Sequence, residues 1–128
     1  MTGALAHLPG DGDRATALQV GRFELQADDP TDGAEPGAPS AMGLLAASLA
    51  TCTAMSVRTQ LERSREQPGD VDVEVRAEGE PVSLVRTVTV TGELTDLERN
   101  QLGVVVSRTP VTRMLTPGVP IRSTIVVR

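Results

Sequence analysis

Seventeen consecutive residues without a charge, AMGLLAASLATCTAMSV at 41–57, constrain this chain more than any other stretch. Ser40 suits an N-cap, and Pro68-Gly69 is a stop signal, so the pattern predicts a helix over 41–67. On a helical wheel Leu45, Leu49, Cys52 and Met55 share one face, with Gly43, Ala47, Ala50, Ala54 and Leu61 opposite. A helix apolar on every side has to be covered on every side. A membrane span is the competing reading. The run is at the short end of what a bilayer needs, and Ala, Thr and Ser dominate it rather than Leu or Ile. Amphipathic strands flank it on both sides, which favours a buried helix of a soluble protein and no membrane partner.

Those flanks read clearly. Leu18 and Val20 alternate with polar residues, Gly21 marks a turn, and Phe23, Leu25 and Ala27 alternate again, giving two short strands between Arg14 and Ala27. DDPTDGAEPGAP at 28–39 is a loop, and its acids lack the spacing of an EF-hand. Val71, Val73, Val75 and Ala77 alternate with Asp72, Glu74, Arg76 and Glu78, as expected of a half-buried strand. Gly79-Glu80-Pro81 turns the chain, and 84–93 returns as its antiparallel neighbour. Thr95-Asp96-Leu97-Glu98 is a capping box that opens a second helix running to about Arg108, where Pro110 stops it. Residues 121–127 complete the pattern as a last strand. The expected fold is α+β, with an antiparallel sheet and two main helices in the order ββ-α-ββ-α-β. Residues 1–128 form one domain on this reading, with 1–13 loose.

A sheet of about five strands cannot enclose a helix that is apolar all round, but a second copy can. Ala46, Ala47, Ser48, Ala50 and Ala54 allow close helix approach, so the sequence predicts a homodimer with this helix near its two-fold axis.

Composition removes several chemistries. All twelve basic residues are Arg, so no lysine is available for a Schiff base or a P-loop. One Cys and one His exclude an intrachain disulfide and a Cys/His zinc cluster, and no metal or cofactor is expected. A net charge of −5, with no Trp, no Tyr and one Phe, weighs against nucleic acid as a partner. The lone thiol and an N-terminus without a signal-peptide pattern fit the cytoplasm.

GAPSAMGLLAASLATCTAMSVR, at 37–58, resembles the signature of the osmotically inducible protein C (OsmC) and organic hydroperoxide resistance (Ohr) family. LVRTVTVTGELTD resembles that family's returning strand and second-helix start. RTPVTRML stands where the family often has Cys-Pro-Val-His. The resemblance implies an OsmC-like fold and an intertwined homodimer with active sites at the subunit interface. It also implies reduction of organic hydroperoxides, in which a cysteine activated by an arginine and a glutamate attacks and a second cysteine resolves. Carried over, Cys52 matches the attacking cysteine, and Arg14 is the nearest counterpart of the arginine, with Arg22 weaker. The glutamate position falls at Met42 or Gly43, the resolving cysteine at Thr109, and the family histidine at Thr112.

An isolated thiol is mostly protonated at neutral pH, apolar burial favours the neutral form, and a mid-helix position gains nothing from the helix end. A functional Cys52 therefore needs a guanidinium beside it, and Arg14 of a second subunit is the expected source. Two functions follow. One is a one-cysteine hydroperoxide reductase, regenerated by an external thiol. The other is a catalytically degenerate dimer that binds a small hydrophobic ligand or serves as a scaffold. Arg58, Arg63 and Arg65, with Glu62 and Glu66, read as a solvated helix face, and His7 has no expected chemical part.

Overall fold

The computed structural model describes residues 3–12, 15–30 and 33–127. The elements run β1 (Ala4–His7), β2 (Thr16–Val20), β3 (Phe23–Ala27), α1 (Ala41–Ser64), β4 (Val71–Glu78), β5 (Ser83–Val90), α2 (Asp96–Ser107) and α3 (Pro110–Leu115). The fold is α+β with antiparallel strands, as the patterning predicts. The chain divides into two compact units, 1–47 and 48–128.

In the first unit β1, β2 and β3 form an antiparallel sheet in that order. Val20 pairs with Phe23 across the two-residue turn Gly21-Arg22. Gly21 has φ +59 and no other residue type in the chain takes positive φ among the described residues, so glycine supplies the first turn position of the hairpin. β1 was not expected: Ala4–His7 pairs with Val20–Ala17, within the segment read as loose. Its side chains are exposed, and the backbone ladder to β2 is what holds it. Ser40 caps α1 as predicted, accepting from the Gly43 N–H at 3.0 Å.

In the second unit β4 and β5 pair antiparallel from Val71 opposite Val90 to Glu78 opposite Ser83. One face of this ribbon carries Val71, Val73, Val75 and Ala77 opposite Val90, Val88, Arg86 and Leu84. Against that face stands a core of Val57, Leu61 and Leu102, joined by Val71, Val88, Val90, Leu94 and Val106. Burying Val57 and Leu61, which are essentially inaccessible, contributes about 1.5–3 kcal/mol for each side chain.

The buried stripe of α1 is Leu49, Thr53, Val57 and Leu61, spaced four apart. It differs from the expected one: Cys52 is half-buried and Met55 is 66% exposed. Helices with no charge contrast leave their rotation to their neighbours, and here the β4–β5 ribbon and α2 select the Thr53 stripe. Much of α1 lies open in the isolated chain. By length and composition the helix could cross a membrane, with 17% of its most apolar window buried.

Three boundaries differ from expectation. α1 stops at Ser64 rather than Gln67, and Gln67 itself, directly before Pro68, is disfavoured in a helical conformation. Pro110 begins α3 rather than merely ending α2: Thr109 caps it and proline at the first position sacrifices no helical hydrogen bond. Residues 121–127 form no strand; Ile121, Ile125 and Val127 are 87%, 91% and 90% exposed, and no ladder partner lies beside them among the described residues. Alternation alone does not make a strand without a neighbour to receive its hydrogen bonds.

Candidate functional site

Cys52 sits in the middle of α1, half-buried, one residue before the fully buried Thr53. Thr53 lies on the stripe facing the β4–β5 ribbon, and its hydroxyl donates back to the Leu49 carbonyl at 2.7 Å. That hydroxyl also accepts from Arg86, whose Nη1 lies 2.9 Å away.

Arg86 interrupts the apolar row of β5, in phase with Leu84, Val88 and Val90 and opposite Val75. Its pleat position therefore turns it toward α1 rather than solvent. Nη1 also donates to Thr112 Oγ1 at 2.8 Å, and Nη2 donates to the Val106 carbonyl at 2.9 Å. The α2–α3 junction closes the cluster. Thr109 and Thr112 share a hydroxyl–hydroxyl bond of 2.6 Å, Thr112 Oγ1 donates to Val106 O at 3.2 Å, and Thr109 is 2% exposed. With the Thr112 proton given to Val106, Thr109 is the donor of the shared bond. No buried side-chain nitrogen or oxygen lacks a partner among the described residues.

The electrostatics are less balanced than the hydrogen bonds. No carboxylate pairs with Arg86 among the described residues. Burial pushes its guanidinium below the ordinary arginine value, and the negative form of Cys52 offsets part of that shift.

A second polar cluster ties the far end of α1 to α2. Arg65 Nη2 lies 2.8 Å from Glu98 Oε2 and donates to the Glu93 carbonyl at 3.0 Å. Ser64 Oγ donates to the same carboxylate at 3.2 Å. Glu98 Oε1 accepts from the Thr95 N–H at 3.1 Å, and Thr95 Oγ1 accepts from Glu98 N–H, completing the predicted capping box. These bonds, led by the one from the Thr95 backbone and followed by that from Arg65, pull the Glu98 carboxyl down to about 2. Arg65, expected to be solvated, is instead a partly buried structural tie. Arg58 keeps its expected solvated pairing with Glu62 at 3.2 Å.

Arg14 lies outside the described residues. Arg22 occupies the β2–β3 turn, with its guanidinium 5.4 Å from the centroid of the Phe23 ring. Met42 is 46% exposed, and Gly43 donates its N–H to the α1 cap. His7 is exposed on β1. The residue that sequence reading missed is Arg86. Its signal was present: a charge on the apolar phase of an otherwise alternating strand. No group of three His, Cys, Asp or Glu side chains capable of holding a metal occurs among the described residues.

The pattern that carries this cluster also carries kinship. The OsmC-like protein family profile matches residues 32–124, spanning α1 through the end of the described helices. The chain belongs to the OsmC-like family. Several solved structures share the fold of this OsmC-like chain at low identity. One is an organic hydroperoxide resistance protein OsmC from Legionella pneumophila, 23% identical, with TM-score 0.67, covering 91% of this chain and 89% of that one. An organic hydroperoxide resistance protein from Elizabethkingia anophelis is 17% identical, with TM-score 0.67 and coverages of 91% and 88%. OhrB of Bacillus subtilis, also an organic hydroperoxide resistance protein, is 17% identical, with TM-score 0.59 and coverages of 91% and 90%. No curated protein matches the sequence.

Proposed function

We propose that this OsmC-like protein reduces organic hydroperoxides with Cys52 as its one redox residue. The half-buried cysteine on the family's signature helix, next in the chain to the threonine that holds a cation without a carboxylate, is the observation that carries this reading. The Cys52 thiolate attacks the terminal oxygen of the hydroperoxide, an S–O bond forms, the O–O bond breaks, and the departing alkoxide takes a proton to become the alcohol. Cys52 is left as a sulfenic acid. With Thr109 where the resemblance puts the resolving thiol, an external thiol attacks the sulfenic acid, giving a mixed disulfide and water. A second external thiol releases Cys52 and carries the disulfide away.

The working unit on this reading is a homodimer in the cytoplasm, with Arg14 of one copy available to the site of the other. The open apolar surface of α1 and the exposed isoleucines and valines of 121–127 support self-association.

A second reading has support of its own. The first unit contains an open groove of about 750 Å³ with Leu5, Leu18, Leu25 and Leu44 among its walls. Threonines occupy the positions of the family's second cysteine and its histidine. Both features suit a degenerate member that binds a small apolar ligand.

Intact mass spectrometry after a brief exposure to cumene hydroperoxide, with dimedone as a sulfenic-acid trap, separates the two. The peroxidase reading predicts rapid formation of one adduct, absent in Cys52→Ser, and consumption of added dithiol. A thiol left intact at excess peroxide contradicts it and leaves the ligand-binding reading.

A further inference from the structure

We propose that Arg86, carried on β5 of the same chain, is the guanidinium of the Cys52 site: it faces the sulfur as counter-charge and binds the oxygen that leaves. The second half of this statement rests on the hydroperoxide reading above; the first does not.

A guanidinium has five N–H donors in a fixed fork. Two Nη1 bonds go to Thr53 and Thr112 and one from Nη2 goes to Val106. This leaves Nε–H and one Nη2–H without a protein partner among the described residues. All three bonds end on neutral oxygens, so the positive charge is held in place without being neutralised. Taking a charge partly out of water is costly unless an anion compensates. Elsewhere in the same unit Arg65 receives that compensation from Glu98.

The surroundings narrow the choice of anion. From β4, Val75 stands opposite Arg86; the flanking Glu74 and Arg76 occupy the other face and pair with each other at 3.2 Å. From α1 comes Thr53, which directly follows Cys52 in the chain, with Arg58 a turn and more further along and paired to Glu62. The α2–α3 junction supplies Val106, Thr109 and Thr112, and its charged neighbours Arg108 and Arg113 are exposed. Apart from Glu74 and Glu62, which are already paired, Cys52 is the one group named here that can become an anion. The threonine hydroxyls have no proton to spare, since Thr53 gives its own to Leu49, Thr112 to Val106 and Thr109 to Thr112. They act as positioning residues that fix Arg86, and the free N–H pair of Arg86 is what remains for a ligand oxygen.

In the reaction, Cys52 takes the hydroxyl from the hydroperoxide as the new S–O bond forms and the O–O bond breaks. The alkoxide leaves against the Arg86 N–H donors and is then protonated by solvent. Arg86 stays protonated throughout, and its contribution is charge stabilisation aimed at the departing oxygen.

Two reagents test the placement without peroxide. Anionic iodoacetate and neutral iodoacetamide both alkylate a thiolate, and a cation beside the sulfur favours the anion. The ratio of their rates at Cys52 is expected to fall about fivefold in Arg86→Met, to recover largely in Arg86→Lys, and to fall less in Thr112→Val. It is expected to be unchanged in Arg65→Met. In parallel, the rate of Cys52 oxidation by cumene hydroperoxide across pH 6–9 should fall on the order of a hundredfold in Arg86→Met at every pH. An unchanged rate ratio in folded Arg86→Met, or in Thr112→Val if the methionine variant does not fold, overturns the placement. A ratio that collapses in Arg14→Ala instead assigns the cation to Arg14 and overturns it equally. A preserved ratio effect with no peroxide oxidation in the wild type refutes the hydroperoxide reading while leaving the placement standing.

Discussion

Two arginines tie α1 to distant parts of the second unit, and they do so in opposite electrical states. Arg65 meets a carboxylate, a backbone carbonyl and a helix cap, so its cluster is neutral and complete. Arg86 meets two hydroxyls and a carbonyl, so its cluster is geometrically complete but carries an unanswered positive charge. An ion pair with capping-box geometry explains itself as structure. A held cation with no carboxylate, hydrogen-bonded to the residue that follows the one thiol of the chain, does not, and its natural complement is a charge that comes and goes during a reaction.

This contrast can be broken experimentally. The largest expected effect is functional: Arg86→Met slows peroxide oxidation of Cys52 on the order of a hundredfold, read by dimedone trapping. Its stability cost in urea denaturation is expected to be about 1–3 kcal/mol, from leaving the Val106 carbonyl and the threonine pair short of a donor. Arg65→Met should show the reverse pattern: a stability loss of about 1–2 kcal/mol with Cys52 kinetics within twofold of the parent.

The two clusters also differ in their pH response. Because the Glu98 carboxyl is lowered in the folded state from 4.5 to about 2, its contribution is fully present above the unfolded value. As pH falls below about 4.5 that contribution declines, and it is lost through about 2. Glu98→Gln should therefore flatten the acid limb of the stability profile, measured by chemical denaturation between those values. Cys52→Ser should leave that limb unchanged. The smallest effect belongs to the exposed Arg58–Glu62 pair, where Arg58→Ala is expected to change stability by less than about 0.5 kcal/mol.

Much of this was legible beforehand, and the reasons are local. The capping box at Thr95–Glu98 specifies its own geometry within four residues, and strict alternation over 71–78 needs only one wet and one dry face. The β2–β3 hairpin is written in Gly21 at a two-residue turn. What was not legible depends on neighbours. An uncharged helix carries no information about which way it is rotated, so the Thr53 stripe was missed in favour of the Leu45–Met55 one. Residues 121–127 have the pattern of a strand but acquire that structure only beside another strand. Thr109-Pro110 signals both the end of one helix and the start of the next, and Thr109 as a cap resolves the ambiguity.

The site follows the same division. Cys52 stood out through composition and through the family signature. Arg86 was hidden because its phase on β5 matters only once the ribbon faces α1. The family's own arginine position drew attention to Arg14 instead. An arginine in the apolar phase of a half-buried strand is a general signal worth reading: burying a charge there requires partners, and the partners disclose the use.

The most direct test sets the two arginines side by side. Second-order rate constants for loss of the Cys52 thiol with cumene hydroperoxide, measured on the parent, Arg65→Met and Arg86→Met at pH 7, should agree for the first two. The Arg86 variant should lie on the order of a hundredfold lower. Equal rate constants in all three would contradict the account, because the uncompensated cation would then have no part in the chemistry of Cys52.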